Sequence, residues 1–538
     1  MTVTAPNLTL DDVRQQILDR RAAEDRALTE RPEVIVEDSE WLPICHLRGE
    51  LAAEFDDIAN DAGEGEFTIP AEHLLTEWLL RPSLRMSDVH ITVRTKYREW
   101  NGKCDYIQRI MKAGEMVAVR VHFIHDYNRA KKLICYANPA TPAEIQTPHA
   151  MPWAGPSISG INTYGLSNMW RVQSGIWQPP TEILNPGSWF EGFNPDNWWT
   201  TMVPNNPILD TSRWTVLSSR FANFHDLIKP TLADAGLVMR AERWWPGDPQ
   251  PAPGFYTLRD HSVRVFKVYD KSGVRGPSGT FIDGLLTLIG TSAEDYINEI
   301  VSQVSRPDVP EYKIAKWFGT RNDAPWVAFP EGKYSTVRSS EMTIHKAMAY
   351  AMITGGKSPQ WVNSLTKLAA NAALGYLGAA IGNPGLALGV FDFMVEDVFL
   401  AFHRMPNTVR RSLMGPDADW EHWVQGPGVG FTLSTLQALR TGFWDTRGYT
   451  SFSAEIDDRA PYIVGKHFDL GDRIAFEIGG ELYIDNVTRI NLKWDRNTLP
   501  VNTITIGDGQ AEEEPAAKLM RYKENIMNLI QQQGVAVS

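Results

Sequence analysis

The stretch 470–487, Leu470-Gly471-Asp472-Arg473-Ile474-Ala475-Phe476-Glu477-Ile478-Gly479-Gly480-Glu481-Leu482-Tyr483-Ile484-Asp485-Asn486-Val487, reads as two strands joined by a tight turn. Its two halves, 473–478 and 482–487, are rich in β-branched and aromatic residues. Gly479-Gly480 between them supplies the positive-φ pair that a two-residue hairpin needs. Further strand candidates follow at 490–494 and 503–506, so 446–510 reads as a closing β domain, a small barrel or sandwich.

Working outward, the same texture returns near the start of the chain. Over 32–150 there are short β-prone runs at 34–36, 89–93 and 116–124. In the last of these, Val117, Val119, Val121 and Phe123 alternate with Ala118, Arg120 and His122. Asp61-Ala62-Gly63 marks one turn, and Asn101-Gly102 sits where a two-residue hairpin turn belongs. A proline-rich stretch then runs from Asn138-Pro139 to Pro156 as a linker or extended strap. Between the two β regions, 151–340 mixes both periods and reads as α+β. It carries a helix at 224–235 closed by Gly236, strands at 237–243 and 263–269, and a helix at 292–304 ending before Pro307.

After Thr343 the pattern turns helical and apolar, and 341–445 reads as a helical insertion. Within it, 368–391 holds no charged residue in 24 positions. One helix of that length would cross a bilayer core of about 30 Å, but Asn383-Pro384-Gly385 splits the run into two arms. Gly378 with Gly382, and Gly385 with Gly389, allow close helix approach. Three readings stand: a hairpin buried in a protein interface, a concealed membrane-active hairpin, or a plain loop. The membrane-interacting candidates of the second are Leu374, Leu377, Ile381, Leu386, Leu388 and Phe391.

The two ends are helical. Residues 1–31 form an N-terminal arm with Leu10, Val13, Ile17 and Leu28 at helical intervals on a charged background, which suits an arm lying on a partner. Residues 511–538 hold a last helix opened by Glu512, Glu513, Glu514 and Pro515. There Leu519, Tyr522, Ile526 and Leu529 have the 3,4,3 spacing of a short self-associating coil. Met1 to Asn7 lacks a basic segment followed by an apolar core, so the chain is expected to be made and assembled in the cytoplasm.

Composition excludes several functions. The chain has 538 residues, with 52 Lys and Arg against 65 Asp and Glu, a net charge of −13. It lacks the basic footprint of specific nucleic-acid binding. Cys45, Cys104 and Cys135 form neither a disulfide framework nor a thiolate metal site and read as buried small hydrophobes. HExxH is absent. Gly355-Gly356-Lys357-Ser358 has Ala351 where a P-loop needs glycine, and Gly155-Pro156-Ser157-Ile158-Ser159-Gly160 has the wrong spacing for a nucleophile elbow and reads as loop. No catalytic, metal or cofactor residue is assigned. Nine of the 19 tryptophans lie between Trp153 and Trp245, either as core and interface packing or as a sugar-stacking platform around Trp189-Phe190, Asn194, Asp196 and Trp198-Trp199. The platform leaves open a cell-wall glycan-binding or hydrolase module.

The order of features resembles a known family. It runs from Phe67-Thr68-Ile69-Pro70 and Trp100-Asn101-Gly102-Lys103 to Asn138-Pro139, then an insertion, then Leu470-Gly471-Asp472-Arg473 and Ile506-Gly507-Asp508. This resembles the baseplate hub, or tail-tip minor tail protein, of long non-contractile-tailed phages of actinobacteria. The resemblance implies a non-enzymatic virion protein at the tail tip, a homotrimer that joins the tail tube to the distal tail protein and other minor tail proteins and takes part in DNA delivery. Contact with the host membrane through the apolar hairpin is the added expectation. The fold class expected is mixed α+β and β-rich, with small β-barrel-like hub domains, an α+β middle region and a helical apolar insertion.

Overall fold

A computed structural model describes residues 10–148, 150–176, 192–258, 260–287, 321–322, 325–332, 335, 337–355, 402–424, 446, 449–456 and 462–507. The fold is β-rich, and its largest element is one curled, half-barrel sheet to which both ends of the sequence contribute. From the N-terminal side come β1 (Glu33–Glu37), β2 (Pro43–Leu47), β3 (Ala52–Ile58), β4 (Glu64–Pro70), β5 (His90–Arg94), β6 (Glu99–Lys112) and β7 (Glu115–His125). The helix α1 (Leu10–Thr29) precedes them, and α2 (Leu74–Leu79) with a 3-10 turn (Pro82–Arg85) lies between β4 and β5.

The middle region contributes α3 (Asn128–Lys131), β8 (Ile134–Cys135), β9 (Met151–Pro156), α4 (Ser157–Gln173), β10 (Thr200–Met202), β11 (Trp214–Ser219), β12 (Ala222–Asn223), α5 (Phe224–Asp234), β13 (Leu237–Trp244) and β14 (Val263–Asp270). Two short strands, β15 (Val274–Arg275) and β16 (Arg321–Asn322), pair with each other. The C-terminal part holds β17 (Ala328–Phe329), β18 (Val337–His345), β19 (Ala351–Gly355), β20 (Phe402–Pro406), α6 (Thr408–Met414), β21 (Glu421–Trp423), β22 (Tyr449–Ile456), β23 (Arg473–Ile478), β24 (Glu481–Asp495) and β25 (Val501–Ile506).

The main sheet runs β18-β22-β25-β24-β3-β4-β7-β6-β5-β1-β2, with β23 attached to β24 and β17 to β23. Its decisive strand is β24. The first half pairs with β23 through the Gly479-Gly480 hairpin, as the sequence predicts. The second half pairs antiparallel with β3, Arg489 opposite Ile58 through Asp495 opposite Ala52. The strands predicted at 482–487 and 490–494 are therefore one strand, with a register irregularity between Val487 and Arg489 where it passes from one partner to the other. The two β regions do not close separately. Leu492 and Trp494 are buried in the same core as Phe55, Phe67, Val121 and Phe123, while Ile490, Val487 and Ile474 belong to a second core with Phe329, Phe476 and Ile504. Alternation along β7 holds for Val119, Val121 and Phe123, which are fully buried, but not at its start, where Val117 is exposed and Ala118 is buried.

Three expectations are corrected. Asn101-Gly102 is not a turn but lies inside β6, where the two residues pair with Thr92 and Ile91. The hairpin turns instead at 95–98, Thr95 N–H donating to Arg98 O. Gly102 is needed because a Cβ there would overlap the Trp100 ring. The segment read as loop at Gly155–Gly160 is the end of β9 and the first turn of α4. That helix starts after a proline because Asp210 accepts from the Ser159 N–H at 2.8 Å and its hydroxyl at 2.6 Å, while Ser212 Oγ accepts from the Ile158 N–H at 3.1 Å. The proline-rich strap accordingly ends as a strand, β9, paired with β11. Finally, the flanks of the insertion are β rather than helical. Thr343–His345 closes β18, and β19, β20 and β21 form a small sheet packed with α6. Partners outside the local window, strands in the first and third cases and the Asp210 and Ser212 side chains in the second, decided these over local pattern.

The helix at 224–235, the cap at Gly236 (φ +62) and the strands near 237–243 and 263–269 appear as predicted. Among the described residues no helix is long and apolar enough to cross a membrane. Leu374, Leu377, Ile381, Leu386, Leu388 and Phe391 lie outside the described residues, as do Leu519, Tyr522, Ile526, Leu529, Trp189-Phe190 and the helix predicted at 292–304.

Candidate functional site

The densest chemistry in the described structure sits where the middle region meets the two halves of the sheet. Strand β13 reads Leu-Val-Met-Arg-Ala-Glu-Arg-Trp, and β14 opposite it places Arg264 directly across from Arg243. Both arginines point into the first β region, and the Arg243 side chain is completely buried. Its Nη1 donates to Glu37 Oε2 at 2.5 Å and to Thr92 Oγ1 at 2.9 Å, and its Nη2 donates to Asp126 Oδ2 at 3.0 Å. Arg264 Nη2 donates to the other Asp126 oxygen at 2.7 Å. The Trp41 ring lies 4.4 Å from the Arg243 guanidinium and 5.2 Å from that of Arg264.

Two cations and two anions thus balance inside a water-poor joint. Each carboxylate oxygen is engaged, the condition under which a buried ion pair is tolerated. Burial works to raise the Asp126 carboxyl, but Arg264 and Arg243 outweigh it and hold the group far below the usual carboxylate range. Glu37 goes the other way, pushed up by burial against the pull of Arg243 and Thr92. Burial also pushes neighbouring His90 down to about 4, helped by Arg243 and Arg264 and opposed by Asp126.

A second cluster joins all three regions at the Leu470-Gly471-Asp472-Arg473 motif. Asp469 accepts from Arg240 Nη2 of β13 at 2.6 Å and faces Arg98 Nε of the first β region at 3.1 Å; Arg98 also pairs with Asp57. Asp472 accepts from Lys271 Nζ at 2.5 Å and from the Asp469 N–H at 2.8 Å. Gly471 lies at φ +84, and a Cβ there would overlap Val238, so the motif's glycine answers both a conformation and a close approach. Asn60, at the end of β3, clamps the far edge of β13: its Nδ2 donates to Leu237 O at 2.8 Å and its Oδ1 accepts from the Met239 N–H at 2.9 Å. Between the two clusters lies a cleft of about 260 Å³ lined by Asp57, Arg98, His125, Arg240, Arg243 and Asp469 among others.

The arrangement is a set of ion pairs that tie the middle region to both halves of the sheet. Its charges are matched to one another, and no group of three or more His, Cys, Asp or Glu residues able to hold a metal ion is found among the described residues. The motif residues of the sequence reading fall on this joint and its support. Phe67 and Ile69 are core, Trp100 Nε1 donates to Asp56 O at 2.7 Å, and Lys103 pairs with Asp88 at 2.6 Å. The sequence reading did not find Glu37, Asp126, Arg243 and Arg264. The available signal was a charge on the inward side of a strand, most plainly Arg264 between Val263 and Val265.

The tryptophans of the middle region are chiefly structural. Trp198 and Trp244 are buried, and the indole N–H groups of Trp153, Trp198, Trp214 and Trp244 donate to backbone carbonyls. Trp245 donates to Glu99 Oε1 at 3.0 Å. Trp199 keeps 43% exposure but has His261 tilted against it at 4.4 Å and Trp41 edge-on at 5.6 Å. Cys135 is fully buried, and Cys45 and Cys104 are half-buried; all three are free thiols.

Comparison with known proteins gives consistent relatives. The family described as Siphovirus ReqiPepy6 Gp37-like protein matches residues 33–508. Minor tail protein Gp28 of Mycobacterium phage L5 is 25% identical, over 92% of this chain and 94% of that protein. Minor tail protein Gp28 of Mycobacterium phage D29 is 24% identical, over 98% of each. Among solved structures, prophage tail protein gp18 from Listeria monocytogenes EGD-e aligns with a TM-score of 0.34 and 11% identity, covering 91% of this chain and 99% of that one. A chain of the phage P2 baseplate in its activated conformation aligns with a TM-score of 0.35 and 8% identity, covering 89% of this chain and all of that one.

Proposed function

The chain belongs to the Siphovirus ReqiPepy6 Gp37-like protein family, and from that premise we propose that it is a structural minor tail protein acting as a trimeric baseplate hub at the phage tail tip. In this role it joins the tail tube to the distal tail protein and to other minor tail proteins that contact the host, and it forms part of the path for DNA delivery. It is assembled in the host cytoplasm and resides in the virion. Its work is mechanical rather than catalytic.

The observation that carries this reading is the continuous sheet. Residues 52–58 and 489–495, more than four hundred positions apart, are adjacent strands, and the middle region is tied to the first half by buried ion pairs and to the C-terminal half by a partly exposed one. Such a body resists shear between its parts, which a connector at the end of a tube requires. The relatives in mycobacterial phages are named minor tail proteins and match nearly the whole length of this chain. The acidic balance of the chain fits a conduit that does not grip passing DNA. The apolar run 368–391 would then be held within the assembly or delivered to the host membrane.

Native mass spectrometry of the purified chain, with probing of purified tails by a specific antibody, tests the proposal. The expected result is a species of three chains, about 180 kDa from 60.5 kDa each, and labelling confined to the tail tip. Normal infectious tails that lack the chain would overturn it.

A further inference from the structure

The seam between the first β region and the middle region is clamped at one end and strained at the other. Strand β13 is held at its start, where Asn60 Nδ2 donates to Leu237 O and Asn60 Oδ1 accepts from the Met239 N–H. At its finish Arg243 reaches between β1, β5 and the end of β7, and Trp245 Nε1 donates to Glu99. This finish is the costly end. Trp41, whose ring covers Arg243 and Arg264, sits at φ +63, a conformation that a bulky residue keeps only when its surroundings impose it. Arg243 Nε, Arg264 Nε and His90 Nδ1 are all buried without a hydrogen-bond partner among the described residues.

His90 is the titratable group closed into that end. Within the sheet it stands opposite Glu37 of β1 and Lys103 of β6, and Lys103 is itself paired with Asp88. Across the seam it faces Asp126 at the end of β7, Arg243 of β13 and Arg264 of β14, with the Trp41 ring edge-on at 5.7 Å. Arg129 of α3, which feels Asp88 and Arg264, lies on the solvent side. Since Arg243 and Arg264 are already matched by Glu37 and Asp126, a proton on His90 adds an uncompensated positive charge beside two guanidinium groups in a closed space. Burial, with the two arginines working against Asp126, accordingly holds His90 at about 4 rather than 6.5.

We propose that this seam is an acid-released latch: protonation of His90 frees Trp41 from Arg243 and Arg264, and the Trp244 end of β13 parts from β1 and β5 about the Asn60 clamp while β3 and β24 stay paired. The sign follows from linkage. A histidine held low in the closed form stabilises that form above pH 6.5 and withdraws the stability as pH falls toward 4. His125, buried next to Asp126 and facing Asp57, Arg240 and Arg264, acts in the same sense. Glu37, raised in the closed form, acts in the opposite one, and Asp126, held far below the usual carboxylate range, stays ionised throughout. The latch is a property of the single chain and does not rest on the trimer proposed above.

Hydrogen–deuterium exchange of the purified full chain near pH 7.5 and near pH 5.5, with labelling times scaled to the intrinsic exchange rate, tests the proposal. His90 alone predicts that protection of 35–42, 89–93 and 262–266 falls about tenfold at the lower pH, while 52–58 and 489–495 keep theirs. His90→Gln, which cannot take the proton, should lose about that tenfold response, and Trp41→Gly should expose the same three segments at both pH values. Equal loss of protection in the seam and in the β3–β24 pair would overturn the proposal, because acid then unfolds the whole body. A seam as protected at the lower pH as at the higher would also overturn it, as would a His90→Gln response equal to the parent's. The parent's own comparison of the two pH values decides the matter where a variant does not fold.

Discussion

Arg243 lies where β13 meets β1, β5 and the end of β7, and its burial makes its removal asymmetric. Arg243→Ala leaves Glu37 without its cation and strips one from Asp126 in a closed joint, so stability should fall by about 3–5 kcal/mol. Arg489→Ala breaks the ion pair with Asp56 on a side chain that is half exposed, and should cost within about 1 kcal/mol. Denaturant unfolding of the two variants beside the parent checks the contrast. Acid sensitivity belongs to the same neighbourhood. The folded-state value of His90, about 4, is below its ordinary 6.5, so between those values the unfolded chain binds more protons and stability drops as pH falls. His125 and His225 are shifted in the same direction by burial. Melting temperature should therefore decline from pH 6.5 to 5, with about 2 kcal/mol of the loss due to His90. A shallower slope for His90→Gln isolates that part from Glu37, whose raised carboxyl acts in the opposite sense; identical slopes would contradict it. At this scale the sequence spoke through glycines and tryptophans. The charges at the joint were silent, because an arginine beside a valine does not announce which distant acid it faces.

Among the elements, α4 depends on a cap drawn from far along the chain. Asp210 is buried and accepts from both the backbone and the hydroxyl of Ser159, so Asp210→Ala should destabilise by about 1–2 kcal/mol. Ser159→Ala, which keeps the backbone bond, should cost less; circular dichroism melts would compare them, and equal losses would show that the cap is not carried by the backbone contact. Elements specified locally were legible: the 473–487 hairpin by its Gly-Gly turn, α5 by its closing Gly236, β7 by the alternation from Val119 to Phe123. Elements specified by partners were not. Asn101-Gly102 carries a turn signal yet lies in a ladder, because Trp100 and β5 close over it. The start of α4 was hidden because Pro156 and the two serines that follow imitate a loop until Asp210 and Ser212 arrive from another segment.

For the molecule as a whole, the order of β, α+β and β regions was legible, and so was the family resemblance that their short motifs carried. The fusion of the outer regions into one sheet was not, since the pairing of β3 with β24 leaves no periodic trace in either strand. What looked like two barrels is two cores joined through β24, whose Trp494 packs against Phe55 at 5.7 Å between ring centres in the first while Val487 and Ile490 belong to the second. That union gives the proposed hub its stiffness, and the apolar run and the terminal coil would be its attachments. The measurement that tests this most directly is a cryo-electron-microscopy reconstruction of the tail tip from intact particles. The account predicts three copies of this sheet around the tail axis, each with its 52–58 and 489–495 strands paired. Density for this chain elsewhere in the particle, or a tip in which it is absent or not threefold, would contradict it.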